Sequence, residues 1–346
     1  MKSIIIHGPK DLRIEAAPSA EARELTPGEV RIRTAAGGVC GSDLHYYHHG
    51  GFGSVRLREP MVLGHEVSGY VTEIGPGVSG LEIGDLVAIS PSRPCGACGF
   101  CHEGLPNHCE NMRFYGSAMP FPHIQGVFRE ELVVSASQCV VANGLTPGEA
   151  ALAEPLAVTL HAMRRAGPLL GKRVLITGCG PIGLLAIASA RLAGASEIIA
   201  TDLSDFTLAM AREMGAASTI NAGKAPEALD RYTSGKGYFD ALFECTGVAQ
   251  GLLPALETMR PRGVVVQLGL GGDVPLPLTK IAAKELDLRG SFRFHEEFPL
   301  GVRAMQQRRL DLRSLITHEF AVDDAEQAFL TATDRSVAIK AQILFS

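Results

Sequence analysis

Cys95-x2-Cys98-x2-Cys101-x7-Cys109 constrains this chain more than any other stretch of it. Four thiols confined to so short a span, on turns supplied by Gly96, Gly99 and Gly104, match the spacing that holds a tetrahedral zinc. Four cysteines complete the coordination shell and leave no position for a substrate, so this zinc is expected to be structural. An iron–sulfur cluster uses the same ligand type and stays open as an alternative. The other cysteines, Cys40, Cys139, Cys179 and Cys245, are scattered. The opening MKSIIIHGPKDLRIE has neither a long apolar core nor a small-residue cleavage site. Export is therefore not expected, a cytoplasmic home is, and clustered thiols read as metal ligands rather than disulfides.

A second fingerprint lies downstream. Gly178-Cys179-Gly180-Pro181-Ile182-Gly183 spells G-x-G-x-x-G between the apolar strand Val174-Leu175-Ile176 and an apolar helical run. The string alone is weak, but strand before and helix after are the context that dinucleotide binding needs. Gly178 permits the tight turn, Gly180 lets backbone approach a pyrophosphate, and Gly183 allows close helix–strand packing. Pro181 and Ile182 open the helix whose free N–H groups face the phosphates. Asp202 follows about 20 residues on, where a carboxylate takes the ribose hydroxyls. No Lys or Arg occurs in Leu203–Leu208 to attract a 2′-phosphate, so NAD is expected over NADP.

A chain of 346 residues is expected to form two domains. The first 145 residues are rich in glycine, proline and short β-type runs such as Glu29–Thr34, Glu66–Ile74 and Leu86–Ser90, which suggests an irregular β-barrel or sandwich. A helical stretch runs from near Thr146 to Arg165. Strand candidates Arg173–Thr177, Glu197–Thr201, Tyr238–Glu244 and Gly263–Leu268 then alternate with helices such as Ile182–Leu192 and Asp205–Met214, which predicts a parallel, doubly wound sheet. The tail adds a helix over Asp323–Thr331 and a strand over Val337–Phe345. The formal net charge of -5 and the absence of any Lys/Arg run argue against a nucleic-acid partner. The apolar run Val174–Ala190 is broken by glycines and falls short of a membrane span.

Three further segments each hold metal-ligand residue types: Gly38-Val39-Cys40-Gly41-Ser42-Asp43, Gly64-His65-Glu66 and Ala153-Glu154-Pro155. Singly, each has an ordinary reading, as a buried thiol, a core histidine or a solvated carboxylate. Together, and in this order with the cysteine lobe and the glycine-rich loop, they resemble the zinc-dependent medium-chain alcohol and polyol dehydrogenases over the whole chain. Glu154, in AEPLAV, stands where the polyol branch has glutamate rather than cysteine.

That resemblance implies an α/β protein. A GroES-like β-rich catalytic domain, residues 1–145 completed by 290–346, would carry an inserted Rossmann domain, residues 146–289. It implies two zinc ions per chain, NAD, and a small-molecule sugar acid or polyol oxidised at a secondary hydroxyl. It implies a homo-oligomer, dimer or tetramer, and no membrane partner. Cys40, His65 and Glu154 become ligands of a catalytic zinc, with Glu66 able to exchange onto the metal and Asp43 orienting His65. Ser42 and His45 become a proton relay. Tyr46, Phe114 and Arg293 become substrate contacts, with Arg113 and Arg56 as alternative partners for a carboxylate. Segments 45–53, 112–123 and 288–294 favour a sugar acid, with sorbitol or xylitol oxidation as the alternative. A zinc-ribbon regulatory protein and a metal-free reductase of the same fold are the rival readings.

Overall fold

The computed structural model describes residues 1–16 and 23–345. Two compact units divide the chain: Met1–Glu154 with Phe298–Asp334 and Ala338–Ser346, and Pro155–Glu297 with Arg335–Val337. Their junctions fall later than the expected 145/146 and 289/290 boundaries. The first falls inside the helix Ala153–Ala166 and the second at the start of the helix Glu297–Gln306.

The first unit is built on a seven-stranded sheet. Its central path runs Cys139–Val141, Leu86–Ile89, Glu66–Ile74, Glu29–Gly38, Lys340–Leu344 and Ile316–Ala321. Glu131–Ser135 pairs with the first half of Glu29–Gly38, and Lys340–Leu344 with its last residues on the same side. Alternation of Val30, Ile32, Val67, Val71, Val87 and Ile89 buries one face of these strands as a core. A second core gathers Ile4, Ile6, Tyr46, Tyr47, Met61, Leu63, Phe128 and Phe329.

The second unit holds six parallel strands, in the spatial order Ser218–Asn221, Glu197–Asp202, Arg173–Thr177, Phe239–Glu244, Met259–Gln267, Asp287–Gly290. In chain order this is 3-2-1-4-5-6, the doubly wound arrangement that reverses direction beside its first strand. Its central strands are near-continuous apolar runs because helices cover both faces.

Several expected elements shift. Glu29–Thr34 extends to Gly38, and Leu86–Ser90 stops at Ile89. The long helix is interrupted at Leu152 into Pro147–Ala151 and Ala153–Ala166. The strand expected from Gly263 starts at Met259, and the last strand narrows to Lys340–Leu344. Among the described residues no helix is long and apolar enough to cross a membrane.

Candidate active site

Cys40 is the cap of the helix Gly41–His49, in an extended conformation that lets Asp43 fold back on it. Asp43 Oδ2 accepts the Cys40 N–H at 3.0 Å, and its Oδ1 accepts the Gly64 N–H at 3.3 Å. The same carboxylate lies 3.8 Å from His65 Nδ1, an electrostatic contact too long for a hydrogen bond. One buried Asp therefore ties two distant segments into a single site. Gly64 takes a φ of +91, and a Cβ there would strike the Phe128 ring.

The donor atoms of Cys40, His65 and Glu66 all lie within 4.8 Å of one another. Burial resists charging His65, but Cys40, Asp43 and Glu154 outweigh it and hold the imidazole well above its ordinary value. Burial also pushes the Glu154 carboxyl up, to about 7, against the pull of His65. A thiol, an imidazole and buried carboxyl groups converge here, a donor set that a divalent cation answers. The thiol–imidazole–carboxylate set suits zinc.

The family resemblance implies Glu154 as third ligand, with Glu66 an exchangeable neighbour. In the structure Glu66, not Glu154, belongs to the tight cluster. Both Glu66 oxygens, however, accept from Lys340 Nζ at 2.8 Å, and that ammonium also donates to Val39 O at 3.3 Å. Lys340 and Glu66 are 2% and 0% exposed, so this is an ion pair sealed from water. Gly38 makes room for it, since a Cβ there would collide with the Glu66 carboxylate. Lys340 escaped the sequence reading. A single lysine in an apolar strand carries no signal until the sheet sets that strand beside Gly38.

Ser42 is half-buried and His45 exposed on the helix that Cys40 caps, and the His45 ring packs against Phe52 and His49. The Phe114 ring is 5.8 Å from that of His65. Tyr46, expected to line the substrate pocket, is 2% exposed and packs in the second core, and its hydroxyl accepts the Ala118 N–H at 3.0 Å. The large ring fills the space beneath the helix. Arg293 belongs to the second unit, at a φ of +55 with its guanidinium 4.9 Å over the Phe292 ring. Arg113 is exposed beside Phe114, and Arg56 spends Nη1 on Gly53 O and Val55 O.

In the second unit, Gly178 adopts a φ of +85 and Pro181 opens the helix Pro181–Leu192. Asp202 Oδ2 accepts the Cys179 N–H at 2.6 Å, fixing the glycine-rich loop to the end of the next strand. Ile182 is half-buried and Gly183 buried in the helix's first turn. Arg335, which no pattern flagged, brings Nη1 within 2.7 Å of where a Gly180 Cβ would lie.

The four sulfurs of Cys95, Cys98, Cys101 and Cys109 also lie within 4.8 Å of one another, with Cys98 and Cys101 at 3.6 Å. The Ala97 N–H, then Cys109, bring the Cys95 thiol down to about 6, towards the thiolate a metal takes. We expect Cys98→Ser to give aggregated or poorly soluble protein with zinc lost from the lobe, because a closed site contributes folding energy. Normal folding with unchanged metal content, measured by elemental analysis, would remove the structural assignment.

Two family profiles match the chain. The alcohol dehydrogenase GroES-like domain covers residues 26–144, and the zinc-binding dehydrogenase domain covers residues 181–307. The chain is 43% identical to the Escherichia coli (strain K12) protein named L-idonate 5-dehydrogenase (NAD(P)(+)), over 91% of each. It is 37% identical to Gallus gallus sorbitol dehydrogenase, over 98% of this chain and 94% of the relative. The crystal structure of L-idonate 5-dehydrogenase from Escherichia coli superposes with a TM-score of 0.94, covering 99% of this chain and 98% of that one. These findings dispose of the zinc-ribbon and metal-free rivals. With both profiles matched and relatives of this identity aligned along nearly its whole length, the chain belongs to the zinc-dependent alcohol and polyol dehydrogenases, whose members bind NAD(P).

Proposed function

We propose that the chain oxidises a secondary hydroxyl of a sugar acid, L-idonate at C5 to 5-keto-D-gluconate, with transfer of hydride to NAD. The observation that carries the chemistry is the cluster of donor atoms from Cys40, His65 and Glu66, with Glu154 within electrostatic reach of His65. The substrate rests on the 43% identity to a protein of that name.

Cys40, His65 and Glu154 would hold the catalytic zinc, because Lys340 already occupies both oxygens of Glu66. When bound, zinc acts as a Lewis acid on the substrate hydroxyl. Asp43 holds Cys40 and His65 in register. Phe114 forms an apolar wall beside His65 and keeps water from it. Ser42 takes the hydroxyl proton and passes it to His45, one helical turn away, whose exposed ring releases it to solvent. The glycine-rich loop and Asp202 hold the NAD pyrophosphate and adenosine ribose. The cysteine lobe holds a second zinc.

The substrate's carboxylate requires a cation, and arginine presents the matching fork. Arg293 is that partner. The test is kcat/KM for L-idonate and for sorbitol, in wild type and Arg293→Ala. L-Idonate should be preferred, and the substitution should cost it about 2 kcal/mol, roughly thirty-fold, with little effect on sorbitol. A wild type that prefers sorbitol makes the chain a neutral-polyol dehydrogenase. An idonate preference that survives the substitution moves the carboxylate to Arg113 or Arg56.

A further inference from the structure

The short strands Ser92–Arg93 and Arg113–Phe114 form a two-stranded antiparallel ribbon in the first unit. Phe114 pairs with Ser92, and Arg113 stands directly opposite Arg93. Cross-strand partners share a face, so both guanidinium groups lie on one side of the ribbon. Phe114 lies on the other, with its ring towards His65. Like charges in direct opposition destabilise such a pair. A negative group seated between them would remove that cost.

On the arginine side there is a cavity of about 220 Å³. Arg93, Arg113, Tyr115 and Arg129 line it, beside an apolar wall of Ile124 and Leu132. No Asp or Glu is among the described residues around it. The positive charges act on one hydroxyl. Burial raises the Tyr115 phenol, and the guanidinium of Arg93, with Arg129 behind it, pulls it back. That hydroxyl reaches Gln138 Oε1 only at 3.5 Å, a contact long enough to give up. His123 also lines the cavity but has no nitrogen to spare. Its Nε2 accepts the Arg58 N–H at 2.8 Å, and its Nδ1 meets Pro120 O at 2.9 Å.

Pockets that enclose a drug-sized ligand run to roughly 300–1,000 Å³, so this one suits a small ion or the charged end of a larger molecule. One arginine fork suffices for a flat carboxylate. Guanidinium groups arriving from the ribbon and from Arg129 suit a tetrahedral dianion, which presents oxygens on every side. We propose that this cavity binds a phosphate-type dianion, free or at the end of a phosphomonoester, through Arg93, Arg113, Arg129 and the Tyr115 hydroxyl. Its residues all belong to the first unit, and none belongs to either metal cluster or to the glycine-rich loop. The site therefore stands apart from the sugar-acid reading.

Isothermal titration calorimetry of the zinc-loaded protein with sodium phosphate tests it, at saturating NADH so that the glycine-rich loop is already filled. Wild type should take up about one phosphate per chain, and sodium chloride at equal ionic strength should give no such heat. Arg93→Ala should raise the phosphate Kd about tenfold or more, and Tyr115→Phe by a smaller factor. In phosphate-free buffer Arg93→Ala should melt no lower than wild type, since it relieves two opposed charges. In phosphate the order should reverse. Glucose 6-phosphate, titrated in the same way, separates the sources. Binding tighter than phosphate, and weakened by Arg93→Ala, marks an ester site, whereas weaker binding marks a site for the free ion. A wild type that binds no phosphate overturns the proposal, and so does an Arg93→Ala protein that binds it as wild type does. If wild type binds none and Arg93→Ala changes the oligomeric state, the cavity belongs to an interface with a second copy of the chain.

Discussion

Cys40→Ser and His65→Ala are each expected to abolish turnover, by at least about a thousandfold, in a protein that still folds and still binds NADH. The two residues supply donor atoms to one cluster, and neither belongs to a main packing core. The dinucleotide loop lies in a unit with its own core of Leu175, Ile199, Phe239, Leu242 and Val265. Losing a ligand from the first unit therefore leaves that loop intact. Zinc per chain should fall from about two to about one, since the cysteine lobe is a separate cluster. A replaced Cys40 or His65 that keeps near-normal kcat would show that the metal centre is not what these residues build. Zinc content that stays at two would point the same way.

The second large effect is expected at Lys340. Replacing it with methionine keeps most of the length of the side chain and removes its charge, which leaves Glu66 buried and unpaired. Breaking one side of a sealed ion pair costs about 3–5 kcal/mol, because the remaining charge has no water to turn to. For a unit of this size that corresponds to a fall in Tm on the order of 10 °C. The double variant Lys340→Met, Glu66→Gln should recover most of it, since the stranded charge is then gone. Glu66→Gln alone should cost stability on the same scale, since it strands the buried Lys340 ammonium instead. A Lys340→Met protein as stable as wild type would mean that Glu66 finds another partner, and the metal is the nearest candidate.

Much of this was legible in the sequence, for identifiable reasons. The cysteine lobe could be read because its ligands are local and spacing alone brings them together. The glycine-rich loop could be read because strand, loop and helix follow one another along the chain. Central strands such as Arg173–Thr177 announced themselves as apolar runs. Ser218–Asn221 and Asp287–Gly290 did not, because edge strands of four mixed residues bury too little to leave a pattern. Cys40, His65 and Glu154 needed the family resemblance, since no periodicity links segments so far apart. Tyr46 follows the zinc-ligand segment in sequence, and helix geometry turns its ring inward, a direction that sequence order does not give. Lys340 gives no signal in the sequence because it reaches Glu66 only once the strand Glu29–Gly38 has come between them in the sheet.

The strand Lys340–Leu344 also bears on how the molecule is made. It fills the gap beside Ala36–Gly38, in a sheet whose other strands, apart from Ile316–Ala321, were synthesised long before. During translation the dinucleotide-binding unit, nearly continuous in sequence, has all its strands before the first unit does. The nascent first unit meanwhile waits with part of a long strand unpaired, an open edge of the kind that invites mispairing with other chains. A ribosome that stops before Lys340 would therefore release a protein with a finished cofactor domain, an exposed seam and an unneutralised Glu66. Closure of this sheet is in that sense held back until Lys340–Leu344 has been translated.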